Sequence, residues 1–214
     1  MITSSPIVIE RCAEVNVLRL QSADQTNRLS RTTVLSLTEE VGRLAEENRP
    51  LVIAGNERFF SAGAELSEIA ALDGPAAYEF SKMGQRLMNA VDQFPAPVYA
   101  AVAGYCMGGG LDLALACRYR IASPHAIFGH RGAALGLITG WGGTQRLPRL
   151  IGKGRALELF VAAEKVTATQ ALHMGLVDAV ADDPVAEAVR RATELGTGIH
   201  RAARFAPFRP AVIP

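Results

Sequence analysis

Two glycine-rich segments of the chain each run into the start of a predicted helix. They read FFSAGAELSEIA over residues 59–70 and GYCMGGGLDLA over residues 104–114. A helix start presents backbone N–H groups that lack intrahelical partners, together with the positive end of the helix dipole. If both starts face one cleft, an N–H from each can donate to a single oxygen atom, the arrangement called an oxyanion hole. The alternative interpretation is that the glycines only permit close packing of helix on strand.

These segments belong to a chain that alternates between strand and helix patterns. Branched residues at 7–9 and 15–20 predict a β-hairpin. An apolar stripe at steps of three and four predicts a helix over residues 30–47, and a short buried strand follows at residues 50–55. The stripe consists of Val34, Leu37, Val41 and Leu44.

The same order of elements repeats further along the chain. A second stripe predicts a helix, after which PVYAAVAG is a strand, GGGLDLALAC opens a helix and RYRIAS is again a strand. The stripe consists of Phe80, Met83, Leu87 and Val91. Strands alternating with helices predict an α/β fold with a largely parallel sheet, whose ligands lie beyond the carboxyl ends of the strands. The two glycine-rich loops, residues 55–63 and 104–110, occupy that position.

The last third of the chain is predicted to be mainly helical. The segment after Gly136 has a helical pattern with a break or kink at Pro148. TATQALHMGLVDAVADD then adds a short helix and a strand, and residues 185–195 form a last helix. No linker or charge run divides the chain. We therefore expect one core domain over residues 1–196 and a Pro-rich, non-helical tail over residues 197–214.

Composition narrows the class of partner. The 214 residues carry 22 Lys and Arg against 21 Asp and Glu, so a net charge of +1 gives no field that favours nucleic acid or an anionic membrane. The three cysteines are too scattered for a disulfide framework, which favours a reducing cytoplasm. Neither a signal peptide nor an apolar run of about 20 residues is found. We expect a cytoplasmic protein whose partners are small molecules or copies of itself.

Several motifs closely resemble the crotonase superfamily, the enoyl-CoA hydratase/isomerase family, over about residues 5–195. They are NRLS at Asn27, FFSAGAELSEI at Phe59, AAVAGYCMGGGLDLALACRYRIAS at Ala100, GTQRLPRLIG at Gly143 and A...GLVDAV from Ala171. The AGAxL and GYxxGGGxxLALACxxRIA strings are the most specific because they are long. The resemblance implies an α/β, crotonase-like spiral of ββα turns, with helices around two nearly perpendicular sheets.

The resemblance further implies an acyl-CoA thioester substrate and no tightly bound cofactor, since coenzyme A is part of the substrate. In the family, the thioester carbonyl accepts N–H bonds from two positions that match Ala64 and Gly109. Such donors stabilise the enolate that forms as a proton moves at the α-carbon. The residues expected to bind the substrate are Ala62, Glu65, Leu66, Gly132 and Trp141. For Trp141, burial as plain core is an equally good interpretation.

Both glutamates of the family's hydratases are replaced in this chain. One matches Asp112, which is shorter by about one bond, ~1.5 Å, and the other matches Gly132, which has no side chain. We expect Asp112 to be the acid/base group, with a favourable helix-dipole interaction as its alternative role. Loss of a general base costs about 10²–10⁴-fold in rate. An ordinary hydratase rate is therefore not expected.

Three interpretations of Gly132 remain open. In the first, the glycine leaves room for a bound bicarbonate that serves as external base, as in the naphthoate synthase branch, and His130 and Arg131 hold the anion. In the second, His130 is itself the base. In the third, both side chains point to solvent or to a subunit interface and the second acid is lost. We favour the third because surface loops are commonly charged.

The resemblance also implies a homo-oligomer, a trimer or hexamer, with a role in fatty acid metabolism. Relatives continue into further helices that pack in the trimer, and we expect residues 197–214 to be a truncated form of that region. The sequence predicts a lyase or isomerase of the enoyl-CoA hydratase/isomerase type. The alternative is a non-catalytic, crotonase-like CoA-binding or scaffold subunit, which Gly132 and the shortened C-terminus would explain.

Overall fold

The computed structural model describes residues 5–196, whose strands form two β-sheets. In sheet order, the larger sheet consists of β1 (Ile7–Cys12), β2 (Val15–Leu20), β3 (Leu51–Ala54), β5 (Val98–Val102), β7 (Tyr119–Ala122) and β10 (Ala179–Val180). β1 and β2 form the predicted antiparallel hairpin, and the other neighbours pair in parallel. The smaller sheet consists of β4 (Phe59–Ser61), β6 (Tyr105–Met107), β8 (Ile127–Gly129) and β9 (Val166–Thr167). Here only the pairing of β8 with β9 is antiparallel.

Successive strand pairs are divided between the two sheets. The first strands of the pairs β3–β4, β5–β6 and β7–β8 lie in the larger sheet and the second strands lie in the smaller one. Helical structure follows each pair, which completes a ββα turn. The expected α/β fold with ββα turns around two sheets is confirmed. β4 and β6 correct one expectation, because they lie in segments predicted to be loops; at three residues each, they are too short to show strand alternation.

Helices surround the sheets. They are α1 (Arg31–Ala45), α2 (Leu66–Ala70), α3 (Gly74–Asp92), α4 (Gly109–Ala116), α5 (Gly143–Ile151), α6 (Lys153–Val161), α7 (Ala168–His173) and α8 (Pro184–Gly196). Both predicted apolar stripes, on α1 and on α3, are buried. α1 begins after Ser30 because the Ser30 side chain accepts a hydrogen bond from the N–H of Thr33, which satisfies a free donor of the first turn.

The larger sheet is buried on both faces. On β3, Leu51 and Ile53 belong to the main core together with α1 and α3, whereas Val52 and Ala54 belong to a second core together with α8. Successive side chains of a strand point to opposite faces, so a strand covered on both sides is apolar at every position. This burial explains why the run LVIA predicts a strand although it does not alternate.

The C-terminal third differs from the prediction at two points. Residues 137–142 are irregular, so that α5 begins only at Gly143, and α5 continues through Pro148 and ends at Ile151. The break lies one turn later, at Gly152, whose φ of 88° is in the left-handed region that favours glycine. α7, β10 and α8 confirm the predicted helix, strand and last helix. The predicted Pro-rich tail, residues 197–214, lies outside the described residues. Within the described part of the chain, no helix has the length and hydropathy needed to cross a membrane.

Candidate active site

The two glycine-rich segments meet in the structure. The first, which contains β4, is held by the NRLS motif: the Asn27 side chain donates to the carbonyl of Phe59 at 2.9 Å, and the N–H of Leu29 donates to the carbonyl of Gly63 at 2.8 Å. A Cβ placed on Gly109 would lie 3.4 Å from the backbone N of Ala64. The start of α4 therefore packs directly against the segment that leads to α2.

Two backbone N–H groups at this junction have no protein acceptor. Gly109 is the first residue of α4, and its N-cap, Gly108, supplies no side-chain bond. Within residues 5–196, neither the N–H of Gly109 nor that of Ala64 donates to another protein group. Both residues line the same cavity. The structure thus brings the two expected donors together at one wall.

The alternative interpretation of the glycines also holds for one of them. A Cβ on Gly110 would lie 2.7 Å from the Cβ of Ser61 on β4, closer than real side chains pack. Gly110 is therefore needed for the contact of helix with strand, whereas Gly109 and its neighbour Ala64 face the cavity. Close packing and exposure of free donors are two consequences of the same run of glycines.

The cavity has a volume of about 320 Å³ and is mainly apolar. Its apolar lining comes chiefly from α2, α3 and the segment before α5, and includes Leu66, Ile69, Leu72, Phe80, Leu137 and Trp141. Three of its polar side chains, those of Asp112, His130 and Thr139, are grouped together, and Ser81 and Arg131 also line the cavity. Largely apolar cavities with a few converging polar groups are typical of small-molecule sites.

Asp112 lies in the first turn of α4 and is 1% exposed. Its Oδ2 accepts a hydrogen bond from the hydroxyl of Thr139. Thr139 is a site residue that sequence reasoning missed, since it lies in an irregular segment 27 residues from Asp112. No spacing rule connects two such positions. The hydroxyl fixes one carboxylate oxygen and leaves Oδ1 for other contacts.

His130 corrects an expectation. It follows β8 directly and is 4% exposed, so its side chain does not point to solvent as we favoured. Its Nε2 lies 3.2 Å from Oδ1 of Asp112, and its ring packs against Phe160 at 5.1 Å between centroids. The two atoms are close but do not form a well-aligned hydrogen bond, and both lack a hydrogen-bond partner among the described residues. Arg131, in contrast, is exposed as expected, at the edge of the cavity.

Gly132 lies on the cavity wall, but the space beside its Cα is filled. Its carbonyl accepts hydrogen bonds from the N–H groups of Leu135 and Leu137 at 2.8 and 2.9 Å, which closes a tight turn. A Cβ on Gly132 would lie 2.7 Å from the carbonyl oxygen of Leu137. The chain's own backbone thus occupies the space that a longer side chain at this position would need to enter.

Trp141 satisfies both interpretations given for it. It is 3% exposed and lines the cavity. Its ring lies 5.3 Å from that of Phe80 between centroids, and its Nε1 donates to the Phe80 carbonyl at 3.3 Å. A Cβ on Gly109 would lie 2.6 Å from the Trp141 ring. The indole therefore packs over the start of α4 and leaves no room for a side chain at the candidate donor.

The remaining expected substrate-binding residues divide into two groups. Ala62 and Leu66 line the cavity. Glu65 does not; its carboxylate accepts hydrogen bonds from the N–H and hydroxyl of Ser67 at 3.3 and 3.0 Å, and these bonds lower the pKa of Glu65. Glu65 acts in the structure as the N-cap of α2. Over the described range, no three His, Cys, Asp or Glu side chains are grouped as metal ligands would be.

The fold is that of the crotonase class, and comparison with known proteins agrees. Residues 10–207 match the family model of enoyl-CoA hydratase/isomerase. The chain is 42% identical over 166 residues to a probable enoyl-CoA hydratase of Bacillus subtilis, an overlap that covers 77% of this chain and 62% of the relative. It is 36% identical over 177 residues to a crotonyl-CoA hydratase of Syntrophomonas wolfei, covering 81% and 68%. This chain therefore belongs to the enoyl-CoA hydratase/isomerase family.

Solved structures show the same likeness. An enoyl-CoA hydratase from Bacillus anthracis superposes with a TM-score of 0.86 at 34% identity, over 91% of this chain and 78% of that one. DspI of Pseudomonas aeruginosa superposes with a TM-score of 0.86 at 31% identity, over 93% and 83%. The chain spans only 62% of the length of the Bacillus subtilis relative and 68% of the Syntrophomonas relative.

Proposed function

We propose that the protein acts on acyl-CoA thioesters by chemistry of the enoyl-CoA hydratase/isomerase type. The observation that carries this proposal is the pair of unbonded N–H groups, on Ala64 and Gly109, at the wall of an apolar cavity that also contains the buried carboxylate of Asp112. A thioester carbonyl placed at the two donors would have its α-carbon beside that carboxylate. The names of the relatives support an α,β-unsaturated acyl-CoA as substrate.

The two donors stabilise the charge that develops during the reaction. When a proton moves at the α-carbon, the thioester oxygen becomes an enolate oxygen, and preorganised N–H groups bind it more strongly than they bind the neutral carbonyl. Loss of one such donor costs about 2.7–4 kcal/mol of transition-state stabilisation in other enzymes. Asp112 is the acid/base group that exchanges the proton with the α-carbon. The apolar part of the cavity lining, which includes Leu66 and Trp141, binds the acyl chain.

The wider biological setting is part of the proposal. We expect no tightly bound cofactor, a cytoplasmic location, a role in fatty acid metabolism as a lyase or isomerase, and a homo-oligomer that is a trimer or hexamer. Support for assembly comes from apolar side chains on α6 and α7 that are exposed in the single chain, namely Leu157, Val161 and Leu172. Light scattering coupled to gel filtration measures the mass, and a monomer at all concentrations would contradict the oligomer.

Turnover of an enoyl-CoA series, with chains from four carbons upward, tests the reaction. The loss of the conjugated thioester absorbance reports hydration, and each substrate is assayed with and without bicarbonate to test for an external base at Gly132. We expect turnover that Asp112→Ala reduces by about 10²–10⁴-fold. Asp182→Ala is the control, since Asp182 is exposed and is not part of the cavity lining. Equal rates in both variants would contradict the role of Asp112.

A second candidate is a non-catalytic CoA-binding or scaffold subunit. The filled space beside Gly132 favours it, because the glutamate found in family hydratases has no room there. Calorimetric titration with acyl-CoA and with free CoA separates the candidates when combined with the turnover assay. Binding without turnover of any substrate would support the scaffold, and no binding of either ligand would contradict both candidates.

A further inference from the structure

Asp112 and His130 of the cavity lining each have a buried polar atom without a hydrogen-bond partner among the described residues. Oδ1 of Asp112 and Nε2 of His130 lie 3.2 Å apart, on side chains that are 1% and 5% exposed, and neither atom has a hydrogen-bond partner in the described part of the chain. Buried polar atoms are nearly always hydrogen-bonded, to protein or to an ordered water. Two such atoms side by side, on two residues of the cavity lining, therefore mark a place for a ligand that donates to both, such as water.

The packing around the pair holds the two side chains in place within the cavity lining. The Thr139 hydroxyl occupies Oδ2 of Asp112, and Phe160 packs against the imidazole of His130. A Cβ on Gly143 would overlap Oδ1 of Asp112 and lie 3.0 Å from Nε2 of His130. A side chain at position 143 would therefore displace the pair. Glycine at this position lets the two buried polar atoms lie side by side.

We infer that His130 is the second acid/base group of the site and that it activates a water held between itself and Asp112. The inference rests on the proposed function and names the group that stands in for the missing glutamate. Nε2 of His130 is the water's proton acceptor, and Oδ1 of Asp112 accepts the water's second hydrogen bond. His130 touches the reacting water, whereas Thr139 only positions Asp112.

The step balances as an addition of water across the Cα=Cβ bond. His130 accepts a proton from the water as the water oxygen bonds to the β-carbon, and the π electrons move to the thioester oxygen held by Ala64 and Gly109. The proton then passes from Nε2 to Oδ1 of Asp112, a gap of 3.2 Å. Asp112 delivers it to the α-carbon as the enolate collapses. Both side chains return to their starting states, and nothing is oxidised or reduced.

The test compares His130→Gln with His125→Gln in the full chain. Glutamine keeps hydrogen-bonding capacity but cannot accept a proton, and His125 is an exposed residue near the same strand. Two rates are measured: hydration of an enoyl-CoA, and exchange of the α-protons of the saturated acyl-CoA of equal chain length in D₂O. We expect H130Q to lower kcat for hydration by about 10²–10⁴-fold and to leave KM and the exchange rate much less affected, because exchange needs only Asp112 and the N–H donors.

The variant His130→Ala, which leaves a space where the imidazole ring was, gives a second measurement. Imidazole added to His130→Ala should restore part of the hydration rate, and it should not restore Asp112→Ala. Hydration by H130Q at the wild-type rate, or equal losses of hydration and exchange, would overturn the role of His130 alone. If the wild-type protein binds acyl-CoA but shows neither hydration nor exchange, both this inference and the proposed function are overturned.

Discussion

At Gly132 the backbone itself fills the space that a catalytic side chain would occupy. The turn from residue 132 to 137 is closed by two hydrogen bonds to the Gly132 carbonyl, and it places the Leu137 carbonyl against the glycine. A longer side chain at this position would therefore require the backbone of the turn to move. The buried polar residue of the cavity lining next to this turn is His130, two residues earlier.

We predict that a glutamate at position 132, where the resemblance places one of the family's two, does not produce an ordinary hydratase. Gly132→Glu should destabilise the protein by about 1–3 kcal/mol, because overpacking forces side chains and backbone to shift. Urea unfolding and enoyl-CoA turnover measure the two effects. Ala134→Glu is the matched control, since Ala134 is exposed in the same turn. A stable G132E variant with a raised kcat would show that the turn adapts easily.

Thr139 gives a second prediction at this scale. Thr139→Val removes the hydroxyl that donates to Oδ2 of Asp112 while keeping nearly the same volume. A hydrogen bond to a charged group is worth about 1.5–3 kcal/mol, so we expect kcat to fall about 10–100-fold while KM changes little. Thr139→Ser, which keeps the hydroxyl, should stay near the wild-type rate. Equal losses in both variants would mean that the effect is not specific to the hydroxyl and would contradict this role.

Some residues of the candidate site could be predicted from the sequence and others could not. Ala64 and Gly109 could be singled out because they lie within long local motifs, and both residues line the cavity in the structure. The Asp112–His130–Thr139 cluster joins residues from α4, from the end of β8 and from an irregular segment. Contacts of this kind depend on tertiary packing and leave no periodic signal in the sequence. The burial of His130 was missed for that reason.

At the scale of elements, the long amphipathic helices and the buried strands were predictable, whereas the short strands were not. α1 and α3 have full apolar stripes, which fix the faces that they bury. β4 and β6 have three residues each and are recognised only by their pairing in the second sheet. A break or kink was expected at Pro148, but α5 continues through Pro148 and ends before Gly152, whose left-handed backbone favours glycine.

α8 provides a prediction of pH dependence. Hydrogen bonds from Arg190 and Arg191 lower the pKa of Glu187 to about 2. The carboxyl titrates near 4.3 in unfolded chains, so the bonds stabilise the folded state above about pH 4, and this contribution is lost as the pH falls towards 2. We expect Glu187→Gln to cost about 0.5–1 kcal/mol at neutral pH, as exposed ion pairs do.

Urea unfolding at several pH values measures this effect. The difference between wild type and E187Q should shrink as the pH is lowered through the acid range. Glu158→Gln serves as control, because Glu158 is an exposed residue on α6 and is not part of the ion-pair cluster of α8. A difference between wild type and E187Q that does not change with pH would contradict the proposed interaction.

At the scale of the whole molecule, the larger sheet separates two apolar cores. The cavity lies beside the smaller sheet, where its strands β4 and β6 lead into the starts of α2 and α4. The α/β fold could be predicted as a whole because the order of elements repeats along the chain. The position of the cavity followed from the rule that ligands bind beyond the carboxyl ends of parallel strands. Its exact lining came only with the packing of α2, α3 and the segment before α5 against each other.

The burial of the thiols tests this arrangement of cores. Cys106 and Cys117 are in the main core, and burial raises the pKa of the Cys117 thiol to about 12 and that of Cys106 well above its usual value. Only Cys12 is partly exposed. We expect one thiol per native chain to react with a thiol reagent, and three after unfolding in urea. Rapid native labelling of Cys12→Ser would contradict this packing.

The most direct test of the central claim is proton exchange at the α-carbon, followed by NMR in D₂O with a saturated acyl-CoA and a catalytic amount of protein. It detects the enolate whether the natural reaction is hydration or isomerisation. We predict exchange that the wild-type protein accelerates, that Asp112→Asn slows by about 10²–10⁴-fold, and that Asp182→Asn leaves unchanged. An acyl-CoA that binds to the wild-type protein but keeps its α-protons would contradict the account.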